Sequence, residues 1–202
     1  MPHLPHSPRL TPPRPWTRLS DSEWAALLPY LLHRSPQGRP IPELRARMDA
    51  IFHIACTQAP WREVPGAYGK PDTIARYFRR LTHAGLWPRL LEALAEAGPA
   101  HPLRAIEYFI LRAARRAHRI LGHRFLLLIR RIGLRTALPG PPWLLPDPLL
   151  SETLARLPFP VRLLAGRAPK SRCKAWFSSL SRLLRDAGGR ARIPRSVRLA
   201  WA

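Results

Sequence analysis

Acidic residues are scarce in this chain: 12 Asp and Glu stand against 34 Lys and Arg among 202 residues. The net charge of +22 makes a polyanionic partner a better expectation than a small acidic substrate. The imbalance grows along the chain. Residues 1–100 hold 13 Lys and Arg against 8 Asp and Glu, a net of +5, whereas residues 101–202 hold 21 against 4, a net of +17.

Cysteine is nearly absent as well, since only Cys56 and Cys173 occur and they lie far apart. This spacing excludes a disulfide framework and a zinc knuckle. His118 and His123 do not share one helical face, so no metal pair is expected there. No apolar run reaches the roughly 20 residues of a membrane span, and the start of the chain lacks the apolar core of a signal peptide. We therefore expect a cytoplasmic protein with no metal and no cofactor.

The first residues differ in character from those that follow. Several prolines predict that residues 1–17 form a disordered basic arm. Helical structure is expected from Ser20, which forms a capping box with Glu23. That helix should kink or end near Leu28, because Pro29 lies within its apolar stripe.

A second helix is the clearest pattern in the chain. Pro42 suits its first helical position. One apolar face then continues at helical spacing through Leu44, Met48, Ile51, Phe52 and Ala55.

A short helix with Asp72 as its expected N-cap is the main candidate for function. Its apolar face comprises Ile74, Tyr77, Phe78 and Leu81. A different face carries Thr73, Arg76 and Arg80, with Arg79 beside them. A helix that follows a tight turn, with one face packed and the other bearing arginines, is typical of the recognition helix in a helix-turn-helix domain. An ordinary surface helix with solvated arginines gives the same pattern.

The candidate DNA-binding residues are Arg62, Lys70, Thr73, Arg76, Arg79 and Arg80. All but Arg79 have an expected role. Thr73 at the helix N-terminus, with Arg76 and Arg80, is placed for base contacts in a DNA groove. Arg62 and Lys70 precede the helix, where they are better placed to hold phosphates.

The pattern changes after residue 102. An amphipathic helix is predicted over residues 102–135, with Gly122 as a possible interruption and a basic face of Arg112, Arg115, Arg116, Arg119 and His123. Such a helix suits nucleic acid, an anionic membrane surface or a protein partner, and a core helix with solvated arginines has the same pattern. Prolines exclude long elements over residues 137–170, and a last helix is expected over 174–187.

Together these patterns predict a mainly α-helical protein. The predicted arm at 1–17 precedes a small helix-turn-helix-like helical domain at 18–98. A basic, Pro- and Arg-rich helical extension, partly disordered, then occupies residues 99–202.

The motifs of the first half occur in a distinctive order. They are Leu19-Ser20-Asp21-x-Glu23-Trp24, Gly38-Arg39-Pro40, Asp49-Ala50-Ile51-Phe52, Pro60-Trp61-Arg62-x-x-Pro65, Tyr68-Gly69, Thr73, Phe78-Arg79-Arg80 and Gly85-Leu86-Trp87. From about Leu19 to Leu94 this order resembles the N-terminal domain of bacterial insertion-sequence transposases of the DDE type. The resemblance implies a helical domain that binds the terminal DNA of the element. His53 and Gln58 depart from the family pattern, which affects the detail of the turn.

The second half lacks the catalytic carboxylates that the resemblance would imply for a full-length relative. Such relatives carry a ribonuclease-H-like domain, in which three carboxylates hold two metal ions. After Glu107 this chain has only Asp147, Glu152 and Asp186, and none ends a β-branched apolar strand. No Gly-rich phosphate loop or nucleophile elbow is present either.

We therefore predict a double-stranded DNA-binding protein that is not an enzyme: a truncated or split transposase without catalytic residues. Its partners would be insertion-element ends and either a separate catalytic chain or a second copy of itself, with no small molecule and no membrane. Two alternatives stay open. One is a protein-interaction or membrane-surface module that uses the helix at 102–135. The other is a transposase remnant without function, since abundant Arg, Pro, Ala and Leu also arise when GC-rich DNA is translated in an unselected frame.

Overall fold

A computed structural model describes residues 8–31, 38, 40–158, 169–190 and 192–201. Residues 1–7 of the predicted arm, Arg39 of the Gly38-Arg39-Pro40 motif and residues 159–168 of the proline-dense stretch lie outside the described residues. The described residues divide into two units, one within Met1–Pro139 with Trp201–Ala202 and one within Gly140–Ala200.

The prediction of a mainly α fold is confirmed. In the described part of the chain there are nine α-helices and no strand beyond one isolated bridge pair. The helices are α1 (Asp21–Leu27), α2 (Leu44–Thr57), α3 (Pro71–His83), α4 (Leu86–Glu96), α5 (Glu107–Leu121), α6 (His123–Ile132), α7 (Pro148–Ala155), α8 (Lys170–Gly188) and α9 (Arg195–Ala200).

Helix α5 is the centre of the first unit, where it contacts α2, α3, α4 and α6. Its apolar residues Phe109 and Ile110 are fully buried, and so are three alanines, whose small side chains allow close helix packing. The Phe109 ring lies 5.9 Å from that of Phe52 on α2, centroid to centroid. The predicted boundary near residue 98 stays a prediction, but α5 shares one core with the helices before it.

The predicted basic face of residues 102–135 is wrong for the first part of that segment. Arg112 is only 4% exposed and lies 5.8 Å from the Tyr108 ring. Burial lowers the pKa of Arg115 to about 9 and that of Arg116 to about 10. The reason is that neighbouring helices cover α5 on several sides, which a single-helix pattern does not reveal. The interruption at Gly122 is confirmed, with a backbone φ of +68° that favours glycine.

Residues 8–17 differ from the predicted disordered arm because they make specific contacts. Arg9 and Thr11 both donate hydrogen bonds to Oε1 of Glu107, at 3.0 and 2.6 Å. Arg14 forms an ion pair with Glu23, with Nη1 and Oε1 2.7 Å apart. Buried carboxylates need charged or hydrogen-bonding partners, and the basic arm supplies them.

The first two helices begin differently. At α1 the predicted capping box is confirmed: the Glu23 amide donates to Ser20 Oγ at 3.3 Å, and the Ser20 amide donates to Glu23 Oε2 at 2.8 Å. The predicted start of α2 at Pro42 is wrong. Glu43 has a left-handed backbone, with φ of 53°, so α2 begins at Leu44.

The second unit contains α7 packed against α8. The Asp147 side chain caps α7 by accepting a hydrogen bond from the Leu150 amide at 3.2 Å. The predicted last helix is confirmed with longer bounds, as α8. Phe177 and Leu184 on α8 are 44% and 51% exposed. In the described residues of either unit, no helix is both long and apolar enough to cross a membrane.

Candidate nucleic-acid interface

Helix α3 starts two residues earlier than its sequence indicates. Pro71 occupies the first helical position, which suits proline because its ring fixes φ and no amide donor is needed there. Lys70 therefore holds the cap position, and the prediction that Asp72 is the N-cap is wrong. Asp72 lies in the first turn, where the helix dipole still favours a negative charge.

The apolar face of α3 is buried as predicted, since Ile74, Tyr77, Phe78 and Leu81 are at most 2% exposed. This face packs against α2, α4 and α5. Burial also raises the pKa of the Tyr77 hydroxyl to about 12, despite the opposing charges of Arg47 and Arg80. The apolar face of α3 is therefore held against its neighbours, whereas Thr73 and Arg76 on its other face are exposed.

Four of the six predicted site residues line one surface groove of about 600 Å³. The groove is lined by Arg62, Lys70, Pro71, Asp72, Thr73 and Arg76. Arg62, Lys70, Thr73 and Arg76 are all exposed. Within the described part of the chain, no ion pair engages Arg62, Lys70 or Arg76. The groove thus presents three cations, with Asp72 as a local negative charge.

The other two predicted site residues lie outside this groove. Arg79 bends back along its own helix, where its Nε donates to the Ala75 carbonyl at 3.4 Å. Arg80 is half-buried and close enough to Tyr77 to act on the pKa of its hydroxyl.

A stack of side chains holds the loop that carries Arg62. The Trp61 ring lies 5.1 Å from the Phe78 ring, and the Arg116 guanidinium of α5 lies 4.6 Å from the Trp61 centroid. Arg116 also donates a hydrogen bond to the Ile54 carbonyl of α2 at 3.3 Å. Cation–π and ring contacts of this kind orient a loop, so residues of α2, α3 and α5 together position Arg62.

The tight turn predicted before α3 is wrong. Residues 58–70 join α2 to α3 and contain two single-turn 3₁₀ helices, Trp61–Glu63 and Gly66–Tyr68. A helix-turn-helix motif uses three or four residues there. The short connection instead follows α3, through Ala84 and Gly85 to α4. The cationic face belongs to the first helix of that pair.

Arg47 is a cation near this surface that the sequence analysis missed. Its guanidinium lies 5.7 Å from the centroid of the Tyr77 ring, which Arg80 also approaches. Arg47 belongs to α2, and nothing in the spacing of α2 alone indicates that it faces α3. Among the described residues, no group of three or more His, Cys, Asp and Glu side chains could hold a metal ion.

The fold and this surface define an all-α domain in which one face of α3 is buried and the opposite face carries cationic side chains. Residues 19–91 match the family described as "Putative transposase of IS4/5 family (DUF4096)". The resemblance found in the sequence is thereby confirmed: residues 19–91, in the N-terminal part of the chain, are similar to a transposase family. The matched segment includes every residue of the groove. No curated protein and no solved structure matches the chain.

Proposed function

We propose that the domain over residues 19–91 binds double-stranded DNA, with the N-terminal half of α3 in the major groove. The observation that carries the proposal is the convergence of Arg62, Lys70, Thr73 and Arg76 on one groove. These four residues come from a loop and a helix within the segment that matches a transposase family. Helix α3 has a width of about 10–12 Å with side chains, which suits the major groove of about 12 Å.

The exposed residues divide into two roles. Thr73 and Arg76 lie in the first turns of α3, where recognition helices contact base edges, and Arg pairs bidentately with guanine. Arg62 and Lys70 flank that end of the helix and would hold the phosphate backbone. Asp72 accepts but does not donate hydrogen bonds, so it favours the amino group of cytosine nearby.

Arg80, Arg47 and Arg79 would act at the edge of this interface. Arg80 lies one helical turn beyond Arg76, and both Arg80 and Arg47 lie close to Tyr77. A duplex seated on the groove would pass within reach of long arginine side chains one turn away. We assign Arg80 to base contact, as the sequence predicts, and Arg47 and Arg79 to the backbone.

We further propose that the chain binds DNA without cutting it, as a truncated or split transposase. Catalysis would then come from another chain, and either that chain or a second copy of this one would be its protein partner. Since bacterial insertion elements lie in cytoplasmic DNA, binding would take place there. The buried state of α5 offers no support for the alternative of a membrane-surface helix over residues 102–135.

The first test changes Arg76 or Arg80 to Ala. The probe is a duplex selected by the wild-type chain from a random library, compared with a scrambled duplex of equal length at one salt concentration. Each change should cost about 1–3 kcal/mol of discrimination, the usual value of a bidentate base contact. Arg190→Ala, at an exposed arginine of the second unit, is the control and should lower both affinities little and equally.

Two outcomes would contradict this assignment. If Arg76→Ala and Arg80→Ala lower both affinities by one common factor, the helix does not read sequence. If neither change alters either affinity while circular dichroism shows intact helices, α3 does not contact DNA.

The second test addresses catalysis directly. Purified chain, incubated with supercoiled plasmid carrying the selected duplex and with Mg²⁺ or Mn²⁺, should leave the plasmid unnicked. Nicking that copurifies with the chain and disappears in Asp147→Asn or Glu152→Gln would show that the second half is an active nuclease.

A further inference from the structure

A second cationic surface lies where α5 meets α6. Arg119 on the last turn of α5 and His123 and Arg124 on the first turn of α6 are all exposed. We call these three residues the elbow surface. They lie beyond residue 91 and so outside the segment that matches the transposase family.

Two residues of the elbow surface, Arg119 and His123, lie close enough to other basic side chains to disfavour their positive charge. Burial, followed by the charges of His123 and Arg119, lowers the pKa of His118. Burial and then Arg119 likewise lower the pKa of Arg116. The charged forms of His118 and Arg116 are therefore disfavoured by these neighbours, and a bound anion would relieve that effect.

No carboxylate of the two helices relieves this repulsion. The one acidic residue of α5 and α6 is Glu107, at the opposite end of α5, and it already accepts hydrogen bonds from Arg9, Thr11 and Arg104. Across the described chain, no salt bridge involves Arg119, His123 or Arg124. The elbow therefore has uncompensated charge that a polyanion would neutralise.

One side-chain contact connects the end of α5 that bears the elbow surface with the loop that bears the groove on α3. Arg116 lies one helical turn before Arg119, and its guanidinium covers the Trp61 ring. Trp61 directly precedes Arg62, which lines the groove. A duplex carries a charge every ~1.7 Å along its axis, so one duplex offers many phosphates to two such cationic surfaces.

We propose that the elbow surface binds the phosphate backbone of the same duplex whose major groove receives α3. This inference rests on the proposed function and extends it: the DNA interface continues beyond residues 19–91 onto α5 and α6. Guanidinium and imidazolium contacts to phosphate carry no base information. The elbow would therefore raise affinity for any sequence and leave the preference between sequences unchanged.

The test is the double variant Arg119→Ala/Arg124→Ala in the full chain, bound to a random-sequence 20-bp duplex over a range of NaCl concentrations. Each lost phosphate contact removes about 0.9 from the slope of log K against log salt, so the slope should flatten by roughly 2. The ratio of affinities for selected and scrambled duplexes should stay unchanged. The matched control is Arg182→Ala/Arg185→Ala, which removes equal charge from exposed positions on α8 and should not flatten the slope.

Loss of folding is separated from loss of contact by thermal melting. Because Arg119 and Arg124 are exposed and Arg119 repels Arg116, the free double variant should melt no lower than the wild type. A second variant, Arg119→Gln/Arg124→Gln, keeps polar side chains and should give the same flattened slope.

The outcomes separate this inference from the proposed function. If Arg76→Ala/Arg80→Ala weakens binding but the elbow variants leave the slope unchanged, the elbow does not touch DNA. If only the elbow variants have an effect, the elbow binds phosphate but α3 does not bind DNA, and both the proposed role of α3 and the shared interface are wrong. An equal effect of the α8 control would assign the change to net charge alone and overturn the proposal. The proposal would also be overturned if the elbow variants kept the wild-type slope on DNA but lost binding to phosphatidylserine vesicles. The elbow surface would then bind a membrane rather than DNA.

Discussion

Replacing Trp87 by Ala is expected to lower the free energy of unfolding of the first unit by about 3–5 kcal/mol, the range for large aromatic truncations in cores. Trp87 is fully buried, and its ring lies 5.4 Å from that of Phe78. Its Nε1 donates to Thr82 Oγ1 at 2.8 Å, and that hydroxyl donates in turn to the Phe78 carbonyl. Since single domains are stable by only about 5–15 kcal/mol, this change would remove much of the total.

Loss of the Trp87 ring would also loosen the candidate interface, because Phe78 packs against both Trp87 and Trp61, the residue before Arg62. Urea unfolding followed by far-ultraviolet circular dichroism measures the stability. Trp87→Phe keeps a ring but leaves Thr82 without its donor, and should cost less than Trp87→Ala. Trp143→Ala, at a residue 72% exposed in the second unit, should cost under about 0.5 kcal/mol. Equal losses for Trp87→Ala and Trp143→Ala would contradict the packing described.

The change Glu107→Gln is expected to cost about 2–3 kcal/mol at neutral pH, through lost charge-assisted hydrogen bonds. The Glu107 side chain is 8% exposed, with Arg104 at 2.6 Å and Arg9 at 3.0 Å. This expected loss of stability is smaller than for a fully buried ion pair, because the Arg9 side chain is 39% exposed and water screens its charge. The variant would also loosen the attachment of residues 8–17.

The pH dependence of this loss follows from the pKa of Glu107. Burial raises that pKa, but hydrogen bonds from Thr11 and Arg104, with the charges of Arg9 and Arg104, hold it below its ordinary value of 4.5. The charged carboxylate therefore stabilises the fold above pH 4.5, and this contribution is lost as pH falls through the folded-state pKa. The difference in unfolding free energy between wild type and Glu107→Gln should be full at pH 7 and shrink below pH 4.5.

Exposed Glu92 on α4 offers a matched control. Glu92→Gln should change the unfolding free energy by less than about 0.5 kcal/mol. A Glu107→Gln variant as stable as wild type at pH 7 would mean that the buried carboxylate contributes no net stability. A difference that persisted undiminished at pH 3 would show that its charge is not the cause.

Helix α5 links the two predictions to the proposed interface. It lies outside the matched segment 19–91, yet it packs on α2, α3 and α4 and supplies Arg116 to the Trp61 stack. The family-matched helices therefore share their core with a part of the chain that the family does not describe. The position of the loop that carries Arg62 depends on that shared core.

The sequence by itself determined the local features of this protein. The capping box of α1, the buried face of α3, the break at Gly122 and the mainly α class were all predicted correctly. Each depends on residues within one or two helical turns, because hydrogen bonds and side-chain periodicity operate over that distance. The order of short motifs also indicated the transposase-related domain.

Only the tertiary structure decided which arginines are exposed and which lie together. Arg112 and Arg119 follow the same helical pattern, yet the first is buried and the second is exposed. Arg47 and Arg116 reach Tyr77 and Trp61 from other helices, over distances in sequence that no periodic pattern spans. Residues 8–17 are held by Glu107, almost a hundred positions away. A helix pattern shows that a face is basic, but the contacts of neighbouring helices determine whether that face meets water, a ring or DNA.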